Sequence, residues 1–103
     1  MIKVSIFYPQ TANAGFDMDY YVTKHMPMVR DKLGSACKGM AIDQGVAGGA
    51  PGTPPTYAAI GHFLCESVQA FQAAFAPHAK EIMADIPKYT KVQPIIQFSE
   101  VKV

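Results

Sequence analysis

The sequence predicts a single α+β domain with the β-α-β-β-α-β order of ferredoxin-like folds. Its 103 residues are enough to bury one hydrophobic core but not two. Four stretches have the apolar pattern of strands, and two have the spacing of amphipathic helices. With right-handed crossovers and antiparallel pairing of the middle strands, this order gives a four-stranded antiparallel sheet with both helices on one face.

The clearest strand predictions are residues 2–8 and 57–65. Residues 2–8 alternate so that one face is wholly apolar, and Pro9 ends the strand. Residues 57–65 are apolar on both faces except at His62, which is typical of a strand covered on two sides. These two segments are the first and third strands of the predicted order.

A weaker strand is predicted at residues 36–46, before a loop of glycines and prolines at residues 48–55. If this loop folds back symmetrically near Pro51, the second and third strands pair with Met40 opposite His62. That pairing would bring both side chains to the same face of the sheet.

The first helix is predicted within residues 16–34, FDMDYYVTKHMPMVRDKLG. At about 100° per residue, His25 falls near the middle of one apolar arc. The other members of the arc are Met18, Tyr21, Val22, Met28, Val29 and Leu33. Pro27 removes a helical N–H donor and disfavours helical geometry at Met26, so we expect the helix to kink or restart just after His25.

The second helix is predicted to begin after Ser67, whose side chain can cap its first turn. Its buried stripe comprises Val68, Phe71 and Phe75. Pro77 is expected to close this helix and to start a further turn over residues 77–84. The last strand is predicted within residues 91–103, and Pro94 restricts it to an edge of the sheet or to a bulge.

The amino-acid composition limits the classes of function that the protein can have. Half of the residues are hydrophobic, 17% are charged and the formal net charge is +1, so neither a nucleic-acid-binding face nor an acidic tail is indicated. No signal peptide or apolar run of about 20 residues is evident. Cys37 and Cys65 form no metal or redox motif and are expected to be buried thiols. These features predict a soluble cytoplasmic protein with a small, uncharged or weakly charged partner.

A second copy of the chain is the expected cover for the remaining face of the sheet. Two helices can cover only one face, whereas the apolar residues of the third strand divide between both. These residues are Tyr57, Ile60, Phe63 and Leu64. An uncovered apolar face of this size is unusual in a monomer, so the sequence predicts a homodimer.

Two segments, DYYVTKHMP and DIPKYTKVQPIIQFSEV, resemble the EthD family of small dimeric α/β-barrel proteins. The first segment carries Tyr20, Tyr21, His25 and Pro27; the second carries Asp85, Pro87, Tyr89, Thr90, Pro94, Gln97 and Glu100. The resemblance implies a single EthD-like domain over residues 1–103 that forms a dimeric α/β barrel. Similar barrels include cofactor-independent oxygenases, lactone isomerases, polyketide cyclases and heme-degrading enzymes, and fold alone does not choose among them.

His25 is the predicted catalytic residue, because a neutral imidazole in an apolar cavity can accept a proton from an acidic C–H or O–H group. The alternative is a core histidine that is satisfied by a protein partner. Tyr21, Met28, His62 and Tyr89 are the predicted substrate-binding residues. For Tyr21 and Tyr89, simple packing in the core or in a turn is the alternative.

No metal or other cofactor is predicted. His25, His62 and His78 lie on three separate elements without the spacing of a metal site. No phosphate-binding loop, GxGxxG motif or Ser-His-Asp order is present. The sequence thus favours a protein that processes a small hydrophobic organic compound in catabolism, as a cofactor-independent oxidoreductase, isomerase or lyase. The alternative is a non-catalytic binding protein, or an accessory protein of an oxygenase system.

Overall fold

The computed structural model describes residues 1–12 and 15–103, and the strands in these residues form one four-stranded antiparallel sheet. The strands are β1 (Ile2–Pro9), β2 (Gly39–Gln44), β3 (Tyr57–Cys65) and β4 (Ile95–Glu100). Their spatial order is β2-β3-β1-β4, so β4 lies at an edge, as predicted, but it begins after Pro94 and is shorter than the predicted strand over residues 91–103. This topology confirms the ferredoxin-like α+β fold.

The helices pack on one face of the sheet. They are α1 (Met18–Tyr20), a π-helical turn (Tyr21–His25), α2 (Met26–Leu33), α3 (Val68–Phe75) and α4 (Ala79–Asp85). Short 3₁₀ segments follow at Gly34–Ala36, Ala76–His78 and Ile86–Lys88. The hydrophobic core lies between this layer and the sheet, where Val4, Phe63 and Met26 are almost fully buried.

The α-helical geometry of the first helix restarts at Met26, directly after His25, as predicted, but the expected departure of Met26 from helical dihedral angles is wrong. Met26 has helical dihedral angles, with φ −65° and ψ −40°. The irregularity comes one turn earlier, where the Met26 N–H group donates to the Tyr21 carbonyl in a π turn. This wider turn changes the carbonyl positions ahead of Pro27, so the helix accommodates a residue that would otherwise clash with its preceding turn.

Strand β2 is shorter than predicted, and its register differs by one residue. Met40 lies opposite Phe63, and Ala41 lies opposite His62. The Thr53 N–H group donates to the Ala50 carbonyl, and Gly52 has φ +79°. The midpoint of the loop therefore falls after position 51, and this one-residue shift moves Met40 to the opposite face from His62.

The start of the second helix agrees with the sequence. The Ser67 side chain accepts a hydrogen bond of 3.0 Å from the Ala70 N–H group and caps α3. Pro77 lies within the 3₁₀ segment that joins α3 to α4. The two helices thus follow each other closely, and α4 ends at Asp85 beside the first helix.

The other face of the sheet carries no helix among the described residues. An apolar row crosses it, because Phe7 pairs with Ile60 on one side and with Ile95 on the other. The Tyr57 ring extends this row, with its centroid 5.0 Å from that of Phe7. We call this side of the sheet the open face. Within residues 1–12 and 15–103, no helix is long and apolar enough to cross a bilayer.

Candidate functional site

A cavity of about 350 Å³ lies between the helices and the sheet. Its size is at the lower end of the range for small-molecule sites. The side chains around it come from β1, β3, β4 and from all the longer helices. They are Val4, Ile6, Tyr8, Tyr21, His25, Met26, Val29, Phe63, Phe71, Gln72, Phe75, Ile82, Met83, Ile86, Pro94, Ile96 and Phe98.

His25 lines this cavity between the first helix and the sheet. It is the last residue of the π turn, and only 4% of its surface is exposed. Its Nδ1 atom lies 2.9 Å from Oδ2 of Asp85, the last residue of α4. No other hydrogen bond of the His25 ring is found among the described residues, so Nε2 is left to meet a bound molecule.

Asp85 is held by Tyr20 of the first helix and by Lys88, which lies three residues further along the chain. The Tyr20 hydroxyl donates to Oδ1 at 2.8 Å, and the Lys88 ammonium lies 3.4 Å from the same oxygen. Burial by itself raises the pKa of the Asp85 carboxyl, but the hydrogen bonds outweigh burial and hold this pKa below its ordinary value. Asp85 is therefore a carboxylate at neutral pH, with Oδ2 directed at the imidazole.

His25 is neutral at the same pH. Burial lowers its pKa below the ordinary 6.5, and the hydrogen bond and charge of Asp85 oppose this shift without cancelling it. A carboxylate can only accept, so Nδ1 carries the proton and donates it to Asp85. The remaining nitrogen, Nε2, then has a free lone pair, which is the state that a general base requires.

Two tyrosine rings pack against the imidazole, and a third tyrosine, Tyr8, contacts both of them. The ring centroid of Tyr89 lies 4.6 Å from that of His25, and the Tyr21 ring is nearly parallel to His25 at 5.8 Å. The Tyr8 and Tyr89 hydroxyls form a short hydrogen bond with each other. Burial raises the pKa of Tyr8 to about 12 and also raises the pKa of Tyr21 and of Tyr89, so all three hydroxyls remain protonated at neutral pH.

The Tyr21 hydroxyl is packed against β3 at a glycine. It is buried without a hydrogen-bond partner among the described residues. A Cβ atom added to Gly61 would collide with this hydroxyl and come within 2.9 Å of the Met26 methyl group. Gly61 is thus the residue in β3 that leaves room for the tyrosine beside His25.

With this geometry established, comparison with known proteins identifies the family. A model of the EthD domain matches residues 12–93. The chain belongs to the EthD family. An EthD-like protein from Ralstonia eutropha JMP134 has 47% sequence identity and a TM-score of 0.95, over 99% of this chain and 92% of that chain.

A more distant structure supports the fold alone. An ethyl tert-butyl ether (EthD) family protein from Bacillus halodurans C-125 has a TM-score of 0.73 at 18% identity, and the match covers 99% of both chains. Among curated proteins, none matches this chain. The comparisons therefore confirm the predicted resemblance and identify no reaction.

In this EthD protein, the predicted site residues fall into two groups. Tyr21 and His25 line the cavity, and Tyr89 packs against the His25 ring. Met28 instead lines a groove on the outer side of the first helix, together with Asp85. Only the residues of the first group therefore lie together in one site.

His62 lies on the open face, so the sheet separates it from the cavity. Its Nε2 atom is 3.1 Å from Oδ2 of Asp43, and its Nδ1 atom is 3.4 Å from the Ser5 hydroxyl. These contacts join three neighbouring strands. His62 is therefore not part of the cavity site.

Asp85 and Tyr20 are the functional residues that the sequence did not assign to the site. Asp85 is 60 positions from His25 in the chain, so no helical spacing relates them. The sequence feature that could have identified Asp85 is its position at the start of the second segment that resembles the EthD family. In the residues that the structure describes, no group of three or more His, Cys, Asp or Glu side chains is arranged to hold a metal ion.

Proposed function

We propose that this EthD protein processes a small hydrophobic organic compound, with His25 as the general acid/base and without a bound cofactor. One observation carries the proposal: a buried, neutral histidine lines an apolar cavity, and a carboxylate holds its Nδ1 atom at 2.9 Å. Such a histidine can take a proton at Nε2 from an acidic C–H or O–H group of a bound compound.

The surroundings of His25 support proton transfer. Asp85 fixes the tautomer and orients the ring, and its negative charge stabilises the imidazolium that forms when Nε2 accepts a proton. The apolar walls lower the local dielectric beside the pair, which strengthens this electrostatic interaction. Removal of a substrate proton is a first step that cofactor-independent oxidation, isomerisation and cyclisation can share, so all three remain within the proposal.

A homodimer with face-to-face packing of the two sheets completes the proposal. It is supported by the apolar row of Phe7, Ile60 and Ile95 on the open face. Packing two copies through this face would remove these side chains from water in an isologous interface. We also propose a cytoplasmic location, since Cys37 and Cys65 are both free thiols.

The second candidate is a non-catalytic carrier, or an accessory protein of an oxygenase system. The nearly continuous apolar lining of the cavity favours it, because binding alone requires no polar group. The His25–Asp85 pair favours the enzyme, since a carrier of apolar compounds gains nothing from a buried ionised partner.

Hydrogen exchange distinguishes the two. A compound retained by the purified protein can be identified by mass spectrometry and then incubated with the protein in D₂O. We expect NMR to show that the wild-type protein accelerates deuterium uptake at one carbon-bound acidic hydrogen, whereas His25→Ala does not. Tight binding without accelerated exchange in the wild-type protein would establish the carrier.

A further inference from the structure

The charge of the bound molecule can be inferred from the cavity walls. Among the described residues, no acidic or basic side chain other than neutral His25 lines the cavity. Asp85 and Lys88 lie on the outer side and are paired with each other. A carboxylate, phosphate or ammonium group inside would lose its hydration without gaining a partner. The cavity therefore selects an uncharged molecule.

The shape of the molecule can be inferred from the aromatic side chains. Phe71 lies at the centre of one wall, with its ring 5.2 Å from that of Phe75 and 5.6 Å from that of Phe98. Phe63 lies on β3, and Tyr21 is beside the imidazole. A planar aromatic molecule can form offset-stacked and edge-to-face contacts with such rings.

The hydrogen-bonding group of the molecule follows from the tautomer of His25. Nδ1 donates to Asp85, so Nε2 can act only as an acceptor. The Tyr8 and Tyr89 hydroxyls bond to each other, and the Tyr21 hydroxyl, which has no partner among the described residues, is packed against Gly61. The polar group that fits opposite Nε2 is therefore a donor.

We propose that the cavity binds an uncharged hydroxylated aromatic compound whose O–H group donates to Nε2 of His25. This inference rests on the proposed function, because it uses the same cavity and the same histidine. It goes further by naming the substrate class. Contact between the O–H group and Nε2 also places the proton where the general base would take it.

The test measures the affinity of three probes for the intact protein by calorimetry at pH 7. The probes are 1-naphthol, 1-methoxynaphthalene and 1-naphthoate. We expect 1-naphthol to bind roughly 5- to 150-fold more tightly than 1-methoxynaphthalene, which leaves Nε2 without a donor. We expect no measurable binding of 1-naphthoate. Equal affinities for the first two probes, or tighter binding of the third, would overturn the proposal.

Asp85→Asn provides the decisive variant. The Tyr20 hydroxyl should keep the amide oxygen at the Oδ1 position, so the amide N–H₂ group faces Nδ1 of His25. The imidazole proton then moves to Nε2, which becomes a donor. The ratio of the affinity for 1-naphthol to the affinity for 1-methoxynaphthalene should therefore fall toward one. An unchanged preference in a folded variant would show that Nε2 does not recognise the hydroxyl.

Asp43→Asn is the matched control, since it changes the carboxylate partner of His62 on the open face. This variant should bind 1-naphthol in preference to 1-methoxynaphthalene as strongly as the wild-type protein does. If Asp43→Asn reduces this preference as much as Asp85→Asn, the proposal is also overturned. The outcome is separable from that of the proposed function. A protein that prefers 1-naphthol but does not accelerate hydrogen exchange supports this inference and removes the catalytic role of His25.

Discussion

The protein contains two histidine–aspartate pairs, one on each face of the sheet. His25–Asp85 has a separation of 2.9 Å, and its side chains are 5% and 13% exposed. His62–Asp43 has a separation of 3.1 Å, and its side chains are 19% and 64% exposed. The distances are nearly equal, so hydrogen-bond geometry alone does not distinguish the pairs.

The two pairs differ in their surroundings. His25 lies beside an apolar cavity that can hold a compound against Nε2, whereas both ring nitrogens of His62 face protein groups, Ser5 and Asp43. A hydrogen bond between groups that are largely in water contributes little, while one that is shielded from water is electrostatically stronger. Burial beside a cavity, rather than pairing itself, makes the first pair the candidate site.

The largest expected effect is on proton transfer. His25→Ala and Asp85→Asn should each slow hydrogen exchange of the bound compound by about 10²- to 10⁴-fold, because one removes the base and the other reverses its tautomer. His62→Ala is the matched control and should leave exchange nearly unchanged. If His25→Ala instead lowers stability by about 1 to 3 kcal/mol and leaves exchange intact, His25 is a core residue that only satisfies Asp85.

The second-largest expected effect is on dimerisation through the open face. Ile60→Asp should weaken dimerisation by about 100-fold or more, since it would bury an unpaired charge between the two sheets. Val22→Asp is the control, because Val22 is 42% exposed on the helix side. Sedimentation equilibrium measures both. A wild-type protein that remains monomeric at micromolar concentrations would contradict the dimer.

A smaller effect is expected at Gly61, on the helix-covered face. Gly61→Ala should cost about 1 to 3 kcal/mol in the free energy of unfolding, because the new methyl group displaces the Tyr21 hydroxyl. Gly49→Ala, which meets no atom within 4 Å, should change stability by less than about 0.5 kcal/mol.

Tyr21→Phe provides the check on this explanation, since it removes the colliding hydroxyl. In that background, Gly61→Ala should be markedly less destabilising when measured by urea denaturation. An undiminished cost in the double variant would point to a different cause of the destabilisation.

The smallest effect is on the pH dependence of stability. Folded His25 has a pKa below 6.5, whereas the unfolded chain has the ordinary value. As the pH falls below 6.5, the unfolded state binds a proton that the folded state does not, so stability should decrease until the folded pKa is reached. NMR titration of the His25 ring measures that pKa, and His25→Gln should remove this part of the pH dependence. A folded pKa above 6.5 would contradict the neutral state.

Local pattern predicted most of the fold. β3 and α3 begin and end as the sequence indicated, because apolar periodicity, the Ser67 cap and Pro77 all act within one segment. The register of β2 was wrong by one residue, because it depends on the turn near Gly52. The expected loss of helical geometry at Met26 was also wrong, since a π turn before it accommodated the proline without a break in the helix.

By itself, the sequence determined the order of the elements, the edge position of β4 and the burial of His25 on the inner side of the first helix. These follow from the spacing of residues along one chain segment, which fixes the side from which each residue projects. The tertiary structure decided which carboxylate meets His25, and that Met28 and His62 lie outside the cavity. Those contacts join elements that are distant in the chain, and they change with a shift of one residue in strand register or one turn in helix packing.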